Sequence, residues 1–156
     1  MKRPNPAHVS AIRDFIARSP FPTLLSMRPT ELAVGRATLE IEIAEKHRQL
    51  LGVVHGGVIA SLIDTATFWS VYYAIDDPDA WLTTVDLKLN FLAPARQGRL
   101  IARGRQKKVG GTLCYATADV TDDAGTLLAH GASTLMVLKN ARPSVDVQFP
   151  EKFIED

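Results

Sequence analysis

Cysteine is almost absent from this chain of 156 residues: Cys114 stands alone. That excludes an internal disulfide and a cysteine-based metal cluster, and it fits a reducing, cytoplasmic setting. Charge imbalance is missing too. Lys and Arg number 18 against 17 Asp and Glu, a net charge of +1, which argues against a nucleic-acid binder, since such domains are usually basic. The N-terminal stretch 1–20 lacks an uninterrupted apolar segment and carries Arg13 and Asp14, so it does not read as a signal peptide. No repeat, low-complexity block or linker divides the sequence. One domain over 1–156 is expected, with a helical extension at 1–20 and a tail at 141–156 that is extended and partly mobile.

One long apolar run is present. From Val58 to Ile75 the sequence VIASLIDTATFWSVYYAI holds one charged side chain, Asp64. Its length invites a membrane reading. Ser61, Thr65, Thr67 and Ser70 interrupt it, no basic cluster flanks it, and a central aspartate would cost roughly 2.5–3.5 kcal/mol on insertion. A helix buried in protein is the expectation, with no membrane association. A carboxylate in such a helix neutralises, finds partners or faces a cleft. The hydroxyls of Ser61, Thr65 and Thr67 are candidate local partners; the cleft makes Asp64 a candidate base.

Around this helix the pattern alternates. Val9, Ile12, Phe15 and Ile16 share one helical face, and the prolines at 20 and 22 lead into an irregular connector. Residues 34–44 alternate as a half-buried strand, and strands are expected over 82–92, 98–108, 112–121 and 126–138, with turns at Gly110-Gly111 and Asp122–Gly125. Consecutive strands with short turns favour an antiparallel sheet, and a sheet curved around the helix is the economical α+β arrangement. Phe68, Trp69, Tyr72 and Tyr73 leave apolar surface over, which suggests a dimer.

The chemistry gathers at the start of the helix. His55-Gly56-Gly57 precedes it. Glycines there let a ligand approach backbone N–H groups at the positive end of the helix dipole, where a carbonyl oxygen is polarised. A plain turn would use the same glycines. Gly57 and Asp64 are seven residues apart, about 10.5 Å along a helix, too far for both to serve one carbonyl. Two antiparallel copies across a two-fold axis would bring Gly57 of one chain to Asp64 of the other. His55 either transfers a proton or orients the loop, the second being favoured; His8, His47 and His130 have no paired context. Arg96, Arg99, Arg103, Arg105, Lys107 and Lys108 form a basic stripe, either a solvated face or a phosphate dock helped by Gly110 and Gly111.

The run Gln49-x-x-Gly52-x-x-His55-Gly56-Gly57 followed by Asp64, with Thr84-Val85-Asp86-Leu87-x-x-Asn90-Phe91-x-x-Pro94-Ala95 and Gly131, resembles the hotdog-fold acyl-CoA thioesterases of the PaaI / thioesterase-superfamily-member-2 type over roughly residues 24–139. The resemblance implies a sheet wrapping a central helix, a homodimer as the minimal active unit and a homotetramer of two dimers. It implies that Asp64 activates water or attacks directly, that Gly57 of the partner polarises the thioester carbonyl, and that Thr84 positions water. Gln49 stands where the best-studied branch has asparagine. Arg105, Lys107, Lys108, Gly110 and Gly111 become candidates for the phosphates of coenzyme A, and Phe68, Asn90 and Phe91 for the acyl pocket. Neither a metal nor a cofactor is expected, coenzyme A being part of the substrate. A thiolate leaves well at neutral pH, so one carboxylate and one oxyanion donor suffice. The rivals are a hotdog hydratase or dehydratase and a non-catalytic acyl-CoA binding module.

Overall fold

Alternation in the sequence becomes one six-stranded antiparallel sheet, and the apolar run becomes the helix it curls around. The computed structural model describes residues 2–141, 143–144 and 147–155. In chain order the elements are β1 (Lys2–Pro4), α1 (Pro6–Arg18), α2 (Pro20–Leu24), β2 (Arg28–Ala33), β3 (Arg36–Glu42), a 3-10 turn (Glu45–His47), α3 (Gly56–Tyr72), β4 (Trp81–Phe91), β5 (Arg99–Val109), β6 (Leu113–Thr121), β7 (Leu127–Leu138) and β8 (Phe153–Glu155). The large sheet has the order β2-β3-β5-β6-β7-β4, which makes β2 and β4 its edges; β1 and β8 pair separately. This is the expected hotdog architecture.

α3 lies in the hollow of the sheet because most of its circumference is apolar. Leu62, Ile63, Ala66 and Val71 are fully buried, as are Leu39, Ile41, Leu100, Ala102, Ala116, Val120 and Leu135 from the strands; a fully buried Leu or Ile side chain contributes about 1.5–3 kcal/mol. Close approach requires glycine at two points. A Cβ on Gly104 would collide with the Ala66 carbonyl oxygen, and one on Gly131 would sit 2.8 Å from Ile63 Cγ2. Among the described residues no helix is long and apolar enough to cross a membrane.

Four expectations change. The strand expected over 34–44 is the second half of a hairpin, β2–β3; Pro29 and an irregular register between Pro29 and Glu31 hide β2, which tolerates proline because it is an edge. The connector at 20–24 is helical, since Pro20 occupies the first turn of α2, where its fixed φ is favourable and its missing N–H costs nothing. α3 stops at Tyr72 rather than Ile75. The tail is docked where described: β8 pairs with β1, the Asn5 N–H donates to Lys152 O at 3.0 Å, and Asn5 Nδ2 donates to Glu151 O at 2.9 Å. Of the expected mobile segment, positions 142, 145, 146 and 156 lie outside the described residues, as does position 1.

Candidate functional site

β4 returns along α3 in the opposite direction, and the two elements touch near three levels. The Trp81 and Tyr72 rings are 5.3 Å apart, Thr84 meets Asp64, and the Phe91 ring lies against Gly56, where an added Cβ would come within 2.8 Å of its Cζ. The middle contact is the chemical one. Thr84 Oγ1 donates to Asp64 Oδ1 at 2.7 Å. A register shift between Thr84 and Asp86 leaves Thr84 facing the helix and turns the strand beyond it. The hydroxyls that might have satisfied Asp64 locally are engaged elsewhere: Ser61 donates to Gly57 O, Thr65 to Ser61 O, and Thr67 to Ile63 O while also meeting Ser133 Oγ. Oδ2 of Asp64 therefore has no partner among the described residues. Ala60, Ser61, Asp64, Thr65 and Phe68 are half-buried and Gly57 is exposed, so α3 has one open stripe, with the carboxylate in its middle.

The helix start is arranged differently from the expectation. His55 is the N-cap residue, and its Nδ1 accepts the Gly57 N–H at 2.9 Å. The imidazole proton must then sit on Nε2. The N–H of Gly57 is thus occupied by its own chain, and the first-turn donor left without an intrahelical acceptor is that of Gly56. His55 acts as the loop-orienting residue. His47, given no role by the sequence, is 1% exposed and holds the preceding loop: Nδ1 accepts the Ala44 N–H, Nε2 donates to Leu25 O, and its carbonyl accepts the His55 N–H, at 2.9, 2.9 and 2.8 Å. Gln49 closes the adjoining turn, its Oε1 accepting from the Leu51 N–H and its backbone bonding Val53 and Gly52. Its amide nitrogen has no partner among the described residues.

Strand register sorts the remaining candidates between the two faces. Thr84, Leu135, Cys114 and Val109 form one row across four strands on the helix side; Asp86, Thr134, Tyr115 and Lys108 form the next row, on the outer side. Phe91 faces inward and Phe68 borders the open stripe, in edge-to-face contact with Trp69 at 5.0 Å. Asn90 pairs with exposed His130 and faces outward, so it does not line an acyl pocket beside Asp64 of its own chain.

The basic stripe is broken by a register shift between Gln106 and Lys108, which pairs Lys108 with Tyr115 and so puts it on the outer face with Arg103 and Arg105, and leaves Lys107 exposed in the bulge. Arg99 is bound to Asp123 at 2.7 Å and Glu40 at 3.1 Å. The Gly110 N–H is used by Leu113 O at 3.0 Å, so of the two turn glycines only Gly111 can offer a donor. This hairpin lies three strand spacings, about 14 Å, from Thr84.

The far end of α3 departs from the expectation: Trp69, Tyr72 and Tyr73, read from the sequence as apolar surface left for a dimer, are buried within the single chain. His8 and Lys152, each 3% exposed, meet there. Lys152 Nζ donates to Ile75 O at 3.1 Å and Asp77 O at 3.3 Å and lies 4.2 Å from the Tyr72 ring centroid. His8 Nδ1 is 2.8 Å from Tyr73 Oη. Burial pushes His8 down to about 4, with help from the Lys152 charge. Burial also lowers Lys152 to about 8, against the opposing pull of Asp77 and Asp76.

Sequence and fold comparisons bear on the family and the fold. The signature of the Thioesterase superfamily matches residues 51–129, a stretch that includes Asp64 and Thr84. Human acyl-coenzyme A thioesterase 13 is 29% identical over 114 residues, covering 72% of this chain and 76% of that protein. The zebrafish thioesterase superfamily member 2 structure superposes with a TM-score of 0.73 at 30% identity, covering 82% of this chain and 94% of the other. A thioesterase family protein from Silicibacter pomeroyi gives a TM-score of 0.76 at 30% identity, with 85% and 98% covered.

Proposed function

This chain belongs to the thioesterase superfamily, and from that premise we propose that it hydrolyses acyl-CoA to free coenzyme A and a carboxylic acid, in a site completed by a second copy of itself. The observation that carries the proposal is the Thr84–Asp64 hydrogen bond of 2.7 Å on the open stripe of α3. Thr84 fixes the carboxylate through Oδ1 and leaves Oδ2 to take a proton from water. The water oxygen then attacks the thioester carbon, the carbonyl oxygen becomes an oxyanion, the C–S bond breaks, and the thiolate recovers the proton from Asp64.

The oxyanion needs a donor, and the chain's own helix start is too distant, since Gly56 lies about 12 Å along the axis from Asp64. A two-fold partner supplies it. In that arrangement the donor is the partner's first-turn N–H at the position of Gly56, which is free, while Gly57 takes part only if His55 releases its cap. β4 suits such a partner: it is an edge, and Val85, Phe91 and Leu92 on and beside it are more than half exposed. An apolar edge of this kind favours pairing with another chain. Pairing of dimers into a tetramer is the corresponding assembly. Gln49 Nε2 is assigned to the thioester end of the substrate. Arg105, Lys107, Lys108 and Gly111 are assigned to coenzyme A phosphates bound by a neighbouring chain, since the outer face where the hairpin opens is opposite to its own Asp64.

Thiol release from acyl-CoA tests the reading. Asp64→Asn keeps the shape and the Thr84 contact and removes the base, so turnover should fall about 10²–10⁴-fold with the oligomer intact by sedimentation. Undiminished turnover would refute the mechanism.

A further inference from the structure

The open stripe of α3 does not run its full length. Beyond Phe68 it is closed by the segments outside the 51–129 match: α1 places Ile12 and Ile16 in the core, His8 stacks over Tyr72 at 6.1 Å, and the tail brings Phe149 against Phe15 at 5.4 Å. Asp64 and Phe68 are one helical turn apart, and Tyr72 is a further turn, so the stripe offers about 6–12 Å beyond the carboxylate before this wall. On the strand side, Trp81 lies three residues before Thr84, about 10 Å at strand rise. Trp81 is half-buried, and its ring tilts against Tyr72 at 5.3 Å and stands edge-on to Trp69 at 6.5 Å. Behind Trp81 is a solvent-open, mainly apolar cavity of about 780 Å³ lined by Phe15, Arg18, Pro20, Leu82, Leu138 and Val147 as well as by Trp81 itself.

We propose that Trp81 is the residue that sets acyl-chain length: it ends the trough leading from Asp64 and shuts off the apolar cavity beneath the terminal segments. The inference rests on the acyl-CoA hydrolase reading above. The free trough matches short linear or single-ring aromatic acyl groups, whose flat face fits among Phe68, Trp69 and Trp81. A longer chain would need the volume behind the indole, which is large enough and apolar enough for it.

Thiol release across a series of linear acyl-CoAs of two to sixteen carbons, with phenylacetyl-CoA and benzoyl-CoA, tests this. The wild type should favour short and aromatic groups. Trp81→Ala should open the cavity and raise the ratio of kcat/KM for dodecanoyl-CoA over butyryl-CoA at least tenfold. Trp81→Phe, a milder change that keeps the aromatic contacts, should move the ratio in the same direction by a smaller factor and stands in if Trp81→Ala does not fold. Adding Leu138→Trp to either variant refills the cavity from behind and should restore the short preference. A chain-length profile that stays fixed in both folded Trp81 variants would overturn the proposal, as would a wild type that already prefers dodecanoyl-CoA. Absence of thiol release from every ester by the wild type would instead overturn the hydrolase reading itself.

Discussion

The two ends of the central helix handle charge in opposite ways. Near the N-terminal half, Asp64 is half-exposed, holds one hydrogen bond from Thr84 and keeps an oxygen free. At the C-terminal end, Lys152 is buried, donates to two backbone carbonyls and lies over an aromatic ring. A buried charge with its partners in place fixes structure. A carboxylate left incompletely satisfied beside an open stripe is available for chemistry. The difference teaches that this fold separates the carboxylate proposed as the base from its anchored end by about 12 Å of one helix.

The sharpest way to break that separation is to mutate both ends and compare. Asp64→Asn should show the large loss of turnover stated above with an unchanged or higher melting temperature, since relieving a functional carboxylate often stabilises. Lys152→Ala should do the reverse. Ile75 O and Asp77 O lose a charged donor and stability falls by about 1–3 kcal/mol, read by urea unfolding, while kcat on a short acyl-CoA is kept. Equal loss of turnover in both variants would show that the ends are not independent.

Acid sharpens the same contrast. His8 titrates near 4 in the fold against 6.5 ordinarily, so the folded state binds fewer protons than the unfolded chain between those values. Its contribution is full above pH 6.5 and is lost as pH falls toward 4, by up to about 3 kcal/mol at about 1.4 kcal/mol per unit. Unfolding free energies across that window should slope accordingly, and His8→Asn should flatten the slope without moving the pH profile of kcat. Lys152, lowered to about 8 from 10.5, acts at the other extreme: burial of its charge opposes folding at neutral pH, and stability gains as pH rises from 8 toward 10.5.

Smaller effects are expected at supporting positions. Thr84→Val removes one hydrogen bond to a charged oxygen, worth about 1.5–3 kcal/mol at most, and should lower kcat roughly tenfold with KM nearly unchanged. Lys108→Glu should raise KM for acyl-CoA a few-fold, more at low salt than at high salt, and leave kcat alone.

Much of the architecture was legible along the chain. The apolar run around Asp64 announced a buried helix, and alternation located β4 to β7. These are local or periodic properties, and sequence carries them directly. Other features depend on distant contacts. Pro29 masked β2, and the register shift in β5 turned Lys108 onto the outer face beside Arg103 and Arg105. The cap from His55 decided which glycine N–H stays free. The pairing of Lys152 with Ile75, 77 positions away, left no local signal at all. The sequence by itself determined that a carboxylate would stand in an apolar helix behind two glycines. Only the tertiary structure decided which oxygen of that carboxylate is held and which donor is unused, because those depend on side chains brought together by sheet curvature and by the docking of both termini.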